Sequence, residues 1–157
     1  MAKVMIDIGH GGTDPGAQAH GLVEKDLNLR VGSLLISYLS SYDVTVGTTR
    51  GTDITLSSDA RVETVKNFAP DLCVSIHHNS ATSSAARGAE VIHAYYDQYD
   101  DKLANAVLDK LAAIGMPKRS AFTKLNSRGD DIERLTDAQL ITLIVVAVEA
   151  ELLDRTE

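Results

Sequence analysis

The chain contains one cysteine, Cys73, among its 157 residues. A single thiol cannot form an internal disulfide, and it cannot supply the several thiolates of a structural zinc cluster. Redox chemistry based on a cysteine pair is therefore excluded. Because Cys73 lies in an apolar, strand-like segment, we expect it to be a small, buried core residue.

The sequence also lacks a long apolar run and an excess of positive charge. No segment approaches the roughly 20 consecutive apolar residues that a membrane-spanning helix needs. Asp and Glu outnumber Lys and Arg by 22 to 15, and the formal net charge of −7 opposes binding to nucleic acids and other anionic polymers. Met1 to Val4 lead directly into an apolar segment without a cleavable signal, so we expect synthesis in the cytoplasm.

The hydrophobic content of 44% and the chain length favour one globular domain over residues 1–157. Extended and helical patterns alternate as in βαβ units, which predicts an α/β fold of three layers, with a twisted, mostly parallel sheet flanked by helices. Strands are predicted at residues 4–8, 44–48, 72–76, 89–96 and 140–148, and helices at residues 25–38, 57–68 and 103–114. The polar segment 118–139 is predicted to be a substrate-facing loop with a short strand or helix.

The first predicted helix carries a stripe of apolar side chains. Its members recur at helical spacing and are Leu27, Val31, Leu34, Leu35 and Tyr38. We expect this stripe to pack on the sheet, because an amphipathic helix buries its apolar face.

Three apolar, strand-like runs end in a side chain that can bind a metal ion: His10, His77 and Glu149. In an open α/β sheet, ligands bind outside the carboxyl ends of the strands, so residues far apart in sequence meet there. Glu24, at the predicted start of a helix, adds a carboxylate that can reach the same edge. Two imidazoles and one carboxylate, with a fourth position left open, make the donor set of a catalytic zinc site. The sequence therefore predicts a hydrolytic zinc site at this edge.

Each of these residues also has an ordinary structural interpretation. A histidine such as His10 often forms a hydrogen bond within a turn, and Glu24 is a residue type that the helix dipole favours at a helix start. Side chains alternate between the two faces of a strand, and alternation alone does not choose between His77 and His78. The combination of residues, more than any one of them, indicates a metal site.

Other catalytic interpretations fit less well. The glycine-rich turn Gly9–Asp14 has Asp14 where a dinucleotide-binding loop needs its third glycine, and an acid there would repel the pyrophosphate. Ser75 lies inside an apolar strand with no nucleophile elbow around it. The histidines His20, in a predicted loop, and His93, in a predicted strand, are weaker metal-ligand candidates than the residues above.

Four segments surround the candidate residues in chain order. They are Ile6–Ala17 (IDIGHGGTDPGA), Gly21–Leu29 (GLVEKDLNL), Ser75–Asn79 (SIHHN) and Gly88–Val91 (GAEV). Together they resemble the zinc-dependent N-acetylmuramoyl-L-alanine amidases, and the resemblance covers essentially the whole chain. It implies zinc ligation by His10, Glu24 and His77 and a catalytic glutamate at Glu149, for which Glu151 is the alternative.

The resemblance also implies the reaction and its setting. The expected reaction is zinc-dependent hydrolysis of the amide between N-acetylmuramic acid and L-alanine in bacterial peptidoglycan, and Asn79 is a candidate substrate contact. The expected protein is the catalytic domain of a phage endolysin, or else of a bacterial autolysin. We expect a separate cell-wall-binding module in the full-length protein, and we expect that a terminal helix is missing.

Two other classes of function stay open from the sequence. One is a degenerate amidase fold that binds wall fragments without cutting them. The other is a zinc amidohydrolase or peptidase that acts on a different amide. Cleavage activity separates the first class from an amidase, and the chemistry of the products separates the second.

Overall fold

The computed structural model describes residues 1–79, 81, 86–93, 98–123 and 139–146. Strands and helices alternate through most of this part of the chain. The strands are β1 (Ala2–Ile8), β2 (Gln18–Ala19), β3 (Leu22–Val23), β4 (Val44–Thr48), β5 (Leu72–Asn79), β6 (Gly88–His93), β7 (Lys118–Phe122) and β8 (Gln139–Val146). The helices are α1 (Glu24–Leu39), α2 (Ser58–Phe68) and α3 (Gln98–Ala113). None of the helices in the described ranges is long and apolar enough to cross a bilayer.

Six of the strands form one sheet in the order β4-β1-β5-β8-β6-β7. Neighbouring strands run parallel everywhere except between β6 and β8, which are antiparallel. The prediction of a mostly parallel sheet in an α/β domain is therefore confirmed. Because β1, β5 and β8 are adjacent and parallel, their carboxyl ends lie at the same edge of the sheet.

Helices cover both faces of the sheet. Ile6 and Ile8 of β1 and Ile76 of β5 are fully buried on the face that α1 covers. Met5 and Cys73 point to the opposite face and pack against α2. Alternation along a strand requires this division, since successive side chains point to opposite faces. Helix α3 packs on β6 and β7, on the same face as α1, and completes the predicted three layers.

The buried side of α1 differs from the predicted one. Leu34 and Tyr38 are 64% and 62% exposed, and Val31 is exposed as well. Leu35 of the predicted stripe does pack on the sheet, together with Leu29, Ile36 and Leu39, which the prediction did not include. The apolar residues of α1 occur on two sides of the helix, so periodicity did not decide between them. The buried side is also the side of Asn28 and Gly32, which a search for apolar residues does not count.

The predicted bounds of several elements shift in the structure. Strand β5 continues to Asn79, three residues beyond its predicted end, and α3 begins at Gln98, five residues before its predicted start. The short hairpin β2–β3 was not predicted. The segment 118–139 begins with a strand, β7, at the edge of the sheet, while residues 124–138 lie outside the described part. The predicted ends of two strands, residues 94–96 and 147–148, also lie outside it, and the extent of the domain over residues 1–157 stays a prediction.

Gly32 brings α1 close to the sheet. A Cβ atom at this position would lie 2.6 Å from the Cγ1 and Cδ1 atoms of Ile8, which is fully buried. We predict that Gly32→Ala destabilises the protein by about 1 kcal/mol, because overpacking of about 1–3 kcal/mol exceeds the gain of about 1 kcal/mol in helix propensity. Denaturant unfolding measures this change.

Ser33, the exposed neighbour of Gly32 on α1, provides the control. Ser33→Ala should leave the free energy of unfolding unchanged or raise it by a few tenths of a kcal/mol. The double variant Gly32→Ala, Ile8→Val should lose less stability than the sum of its single changes, since the shorter side chain relieves the contact. Additive losses would argue against the close approach of α1 to β1.

Candidate metal centre

Three side chains converge at the carboxyl edge of the sheet: His10, Glu24 and His77. The Nε2 atom of His10 and the Nδ1 atom of His77 each lie 3.1 Å from the same carboxylate oxygen, Oε1 of Glu24. The three ligand atoms all lie within 4.8 Å of one another. In the part of the chain that the structure describes, these three side chains form a group that could hold a metal ion.

The three side chains differ in exposure. Glu24 is 6% exposed, whereas His10 is 23% and His77 is 32% exposed. The carboxylate therefore forms the floor of the group, and the two imidazoles form a rim that solvent can reach. An ion held between them would keep a side open to a water molecule or a substrate, as a catalytic site requires.

Glu24 is fixed by reciprocal hydrogen bonds with Ala17. The Glu24 backbone N–H donates to the carbonyl of Ala17 (2.9 Å), and the carboxylate Oε2 accepts from the backbone N–H of Ala17 (2.8 Å). The Lys25 N–H donates to the carbonyl of Pro15 (3.1 Å), so backbone carbonyls cap the start of α1 in place of a side chain at Val23. The carboxylate position thus depends on the hairpin that precedes the helix.

The Oε1 atom of Glu24 accepts further hydrogen bonds. The backbone N–H of His78 donates to it at 2.9 Å, and the Nδ2 atom of Asn28 lies 3.4 Å away. Burial alone would raise the pKa of Glu24, but hydrogen bonds from His77 and from two backbone N–H groups lower that pKa to about 2. The carboxylate is therefore ionised near neutral pH, which is the form that binds a cation.

His10 lies in a strained turn directly after β1. Its φ angle is 59°, in the left-handed region that non-glycine residues rarely occupy. Gly11, Gly12 and Gly16 also have positive φ angles, and a Cβ atom at Gly16 would lie 2.6 Å from both Glu24 Oε2 and His10 Cδ2. Strain of this kind concentrates at functional sites. The glycines allow the turn to fold back over the start of α1.

Two arginines hold the backbone of this turn. Arg50 is buried and donates to the carbonyls of Ile8 (3.0 Å) and Gly9 (2.9 Å). Arg61 of α2 donates to the carbonyls of Ile8 and His10 and pairs with the carboxylate of Asp7 (2.9 Å). These carbonyl oxygens, at the end of β1 and in the turn that follows it, therefore accept hydrogen bonds from charged donors. Such bonds are stronger than those from neutral donors.

The structure separates His77 from its neighbour His78. His77 belongs to the three-residue group, whereas His78 is buried on the other face of β5 and its Nδ1 atom lies 2.6 Å from Oδ1 of Asn28. Burial lowers the pKa of His78, so its imidazole is neutral near pH 7. Asn28 thereby connects His78 to Glu24 beneath the site. The sequence left the choice between the two histidines open, and the geometry favours His77.

The other candidate residues lie elsewhere or outside the described part. His20 is exposed in the turn of the hairpin β2–β3, and His93 lies 3.5 Å from Asp101 of α3. Asn79 ends β5, but its side chain is outside the described part, as are Glu149 and Glu151 entirely. The roles of the three ligands, of Glu149 and of Asn79 therefore stay predictions.

Sequence reasoning missed four residues that support the group: Asp14, Asn28, Arg50 and Arg61. Asn28 follows Glu24 by one helical turn, and that spacing could have indicated that both residues face the sheet. Asp14 follows His10 by four residues in a glycine-rich turn, which could have indicated a local contact. Arg50 and Arg61 gave no local signal, because the carbonyls of Ile8, Gly9 and His10 that they bind lie 41 to 53 residues away.

This α/β domain brings two histidines and a glutamate together at the carboxyl edge of its sheet, where they could hold a metal ion. The family model for N-acetylmuramoyl-L-alanine amidase (Amidase_3) matches residues 4–149. The chain belongs to this family.

Relatives of known sequence agree with this assignment. The chain is 33% identical over 112 residues to the N-acetylmuramoyl-L-alanine amidase LytC of Bacillus subtilis (strain 168), covering 70% of this chain and 23% of that protein. It is 35% identical over 111 residues to the endolysin of Bacillus phage SPP1, covering 59% of this chain and 41% of that protein. The chain thus spans between about a quarter and half of the length of the curated relatives it matches.

Solved structures share the fold. The catalytic domain of CwlV, an N-acetylmuramoyl-L-alanine amidase from Bacillus (Paenibacillus) polymyxa, superposes with a TM-score of 0.77 at 30% identity, covering 92% of this chain and 79% of that chain. The N-acetylmuramoyl-L-alanine amidase AmiC2 of Nostoc punctiforme superposes with a TM-score of 0.79 at 29% identity, covering 90% of this chain and 77% of that chain.

The ring of His77 packs directly against Gly9. A Cβ atom at position 9 would lie 2.6 Å from Nε2 of His77 and would contact the rest of the ring as well. We predict that Gly9→Ala displaces the ring and weakens binding of a divalent cation at least about tenfold, since ligand orientation sets metal affinity. Competition with a chromogenic chelator measures the affinity.

Gly51 provides the matched control. A Cβ atom there would meet nothing within 4 Å, and the backbone carries no positive φ angle. Gly51→Ala should bind the cation like the unchanged protein. If both variants bound it equally well, the close contact between Gly9 and His77 would have no role in the site.

Proposed function

We propose that this protein is a zinc hydrolase that cleaves the amide bond between N-acetylmuramic acid and L-alanine in bacterial peptidoglycan. The observation that carries the proposal is the convergence of His10, Glu24 and His77 at the carboxyl edge of the sheet in a chain of the amidase family. The names of the relatives support the substrate, since LytC and CwlV are N-acetylmuramoyl-L-alanine amidases.

The donor set and its spacing fit zinc. Ligand atoms about 2.0–2.2 Å from a tetrahedral zinc ion lie about 3.3–3.6 Å apart, and the two separations of 3.1 Å at Glu24 Oε1 are a few tenths of an ångström shorter. Imidazole nitrogen and carboxylate oxygen are both zinc ligands. The single cysteine, Cys73, is buried against α2 and is not part of the group. The residues present therefore fit a zinc ion with three protein ligands.

A zinc ion bound there would supply a Lewis acid for the amide carbonyl and would lower the pKa of a water molecule toward about 7. The chain supplies the binding and the proton transfers. His10 and His77 would hold the ion through ring nitrogens from the solvent-exposed rim, and Glu24 supplies the negative charge from the buried floor. Glu149 is proposed as the general base that accepts the proton of the attacking water and returns it to the amine of L-alanine.

The end of β8 supports the choice of Glu149. Strand β8 lies beside β5 and runs parallel to it, with Ile144 opposite His77 and Val146 opposite Asn79. Glu149 follows Val146 by three positions in the sequence, and Glu151 follows by five. Val146, the last described residue of β8, thus lies at the edge of the sheet where the three ligands meet, and three residues can extend over at most about 11 Å.

The biological setting is proposed by comparison. An endolysin of a Bacillus phage is among the relatives, which supports an endolysin, and the bacterial amidases support an autolysin equally. A separate cell-wall-binding module and synthesis in the cytoplasm stay predictions. An acidic domain would gain from such a module, since its net charge of −7 repels anionic wall polymers.

Digestion of purified peptidoglycan tests the proposed reaction most directly. We expect new amino groups on L-alanine and no new reducing sugars. We expect a chelator to abolish the formation of these amino groups. Mass and amino-end analysis of the products measure this. New amino groups on other residues would indicate a peptidase, and an absence of products from zinc-loaded protein would indicate a binding module.

Glu149→Gln tests the proposed base. The amide keeps the size of the side chain but cannot accept the proton, so kcat should fall about 100-fold to 10,000-fold while the bound zinc is unchanged. Glu151→Gln is the matched control and should keep most of the activity. The reverse pattern, with loss of activity only in Glu151→Gln, would assign the base to Glu151.

A further inference from the structure

His10 presents its two ring nitrogens to two different carboxylates. Nε2 lies 3.1 Å from Oε1 of Glu24, and Nδ1 lies 2.9 Å from Oδ2 of Asp14. A neutral imidazole carries one hydrogen, and the nitrogen without it is the one that can bind a metal ion. A carboxylate beside Nδ1 favours the hydrogen on that atom. Glu24 offers Nε2 an acceptor of the same kind, so Asp14 offsets that effect and raises the share of the tautomer in which Nε2 has a free lone pair toward the site.

Asp14 is itself held in place by the turn. Gly11 and Asp14 exchange two backbone hydrogen bonds, of 2.9 Å from the Gly11 N–H and 3.1 Å from the Asp14 N–H. The second carboxylate oxygen, Oδ1, accepts from the backbone N–H of Gly16 at 3.2 Å. The side chain is thus a fixed acceptor.

The rings of His10 and His77 each pack against a glycine. A Cβ atom at Gly9 would lie 2.6 Å from Nε2 of His77, and a Cβ atom at Gly16 would lie 2.6 Å from Cδ2 of His10. His10 lies in a turn with a φ angle of 59°, and its ring meets His77 edge to face at a centroid distance of 4.9 Å. Besides this packing, the Asp14 carboxylate at Nδ1 restrains the orientation of the His10 ring.

We propose that Asp14 is a positioning residue for the metal site, which fixes the tautomer and ring orientation of His10 and so raises metal affinity. The inference rests on the proposed function, since it assumes that His10 is a ligand. It differs from that proposal in assigning a role to a residue that would not contact the ion. Outer hydrogen bonds of this kind typically change metal affinity by about 10-fold to 100-fold.

Zinc affinity of the Asp14 variants tests the inference. Asp14→Ala removes the acceptor, and we expect zinc to bind about 10-fold to 100-fold more weakly in competition with a chelator. Asp14→Asn keeps an oxygen that can accept from Nδ1 but loses the charge, so its loss should be smaller. The Asn variant supplies the measurement if the Ala variant does not fold.

Asp53→Asn is the matched control. Its carboxylate also holds the glycine-rich turn, through the Gly12 N–H (2.6 Å) and the Lys25 ammonium (2.7 Å), but it does not contact His10. We expect Asp53→Asn to bind zinc within about threefold of the unchanged protein. An equal loss in Asp53→Asn and Asp14→Ala would show that the turn as a whole matters, which would overturn the inference.

The tautomer of His10 gives a readout that a purely structural role would not change. Nitrogen-15 chemical shifts of the zinc-free protein, at a pH well above the ordinary imidazole pKa, identify which ring nitrogen carries the hydrogen. We expect a larger share of Nδ1–H in the unchanged protein than in Asp14→Ala, where no carboxylate at Nδ1 opposes the effect of Glu24 at Nε2. Identical spectra would overturn the inference.

The failure of this inference and that of the proposed function can be told apart. If the unchanged protein binds zinc and Asp14→Ala binds it equally tightly, only the role of Asp14 is wrong. If the unchanged protein binds no zinc, the metal site itself is wrong, and the role of Asp14 is overturned with it.

Discussion

The buried carboxylate of Glu24 is the interaction on which the rest of the site depends. One oxygen, Oε1, lies 3.1 Å from both histidines, and the other joins the start of α1 to Ala17. A buried charge is costly unless its partners surround it, and here backbone N–H groups and imidazoles do so. The same contacts that stabilise the carboxylate therefore bring a strand, a turn and a helix together.

The fold provides this convergence through ordinary constraints. Parallel strands place their carboxyl ends at one edge, and the chain must turn sharply there to continue into the next element. Glycines permit the turn, and Arg50 and Arg61 donate to carbonyls at the end of β1 and in the turn. Hydrogen bonds thus hold the site on its backbone side, while the two imidazoles leave it open on its solvent side.

The sequence predicted the layers and the sheet well, because alternation and apolar periodicity reflect burial directly. It also predicted the meeting of His10, Glu24 and His77, since each follows or begins an element at the same edge. It failed for the buried side of α1, where Leu34 and Tyr38 are exposed and polar Asn28 is buried. It also failed for Arg50, because the carbonyls of Ile8 and Gly9 that it holds at the site lie 42 and 41 residues away.

The central claim is that two imidazoles and one carboxylate hold a single zinc ion. X-ray absorption at the zinc edge of protein loaded with one equivalent tests it directly. The account predicts four nitrogen or oxygen neighbours at about 2.0–2.2 Å, with outer scattering from two imidazole rings. A sulfur neighbour at about 2.3 Å, or scattering from fewer than two rings, would contradict it.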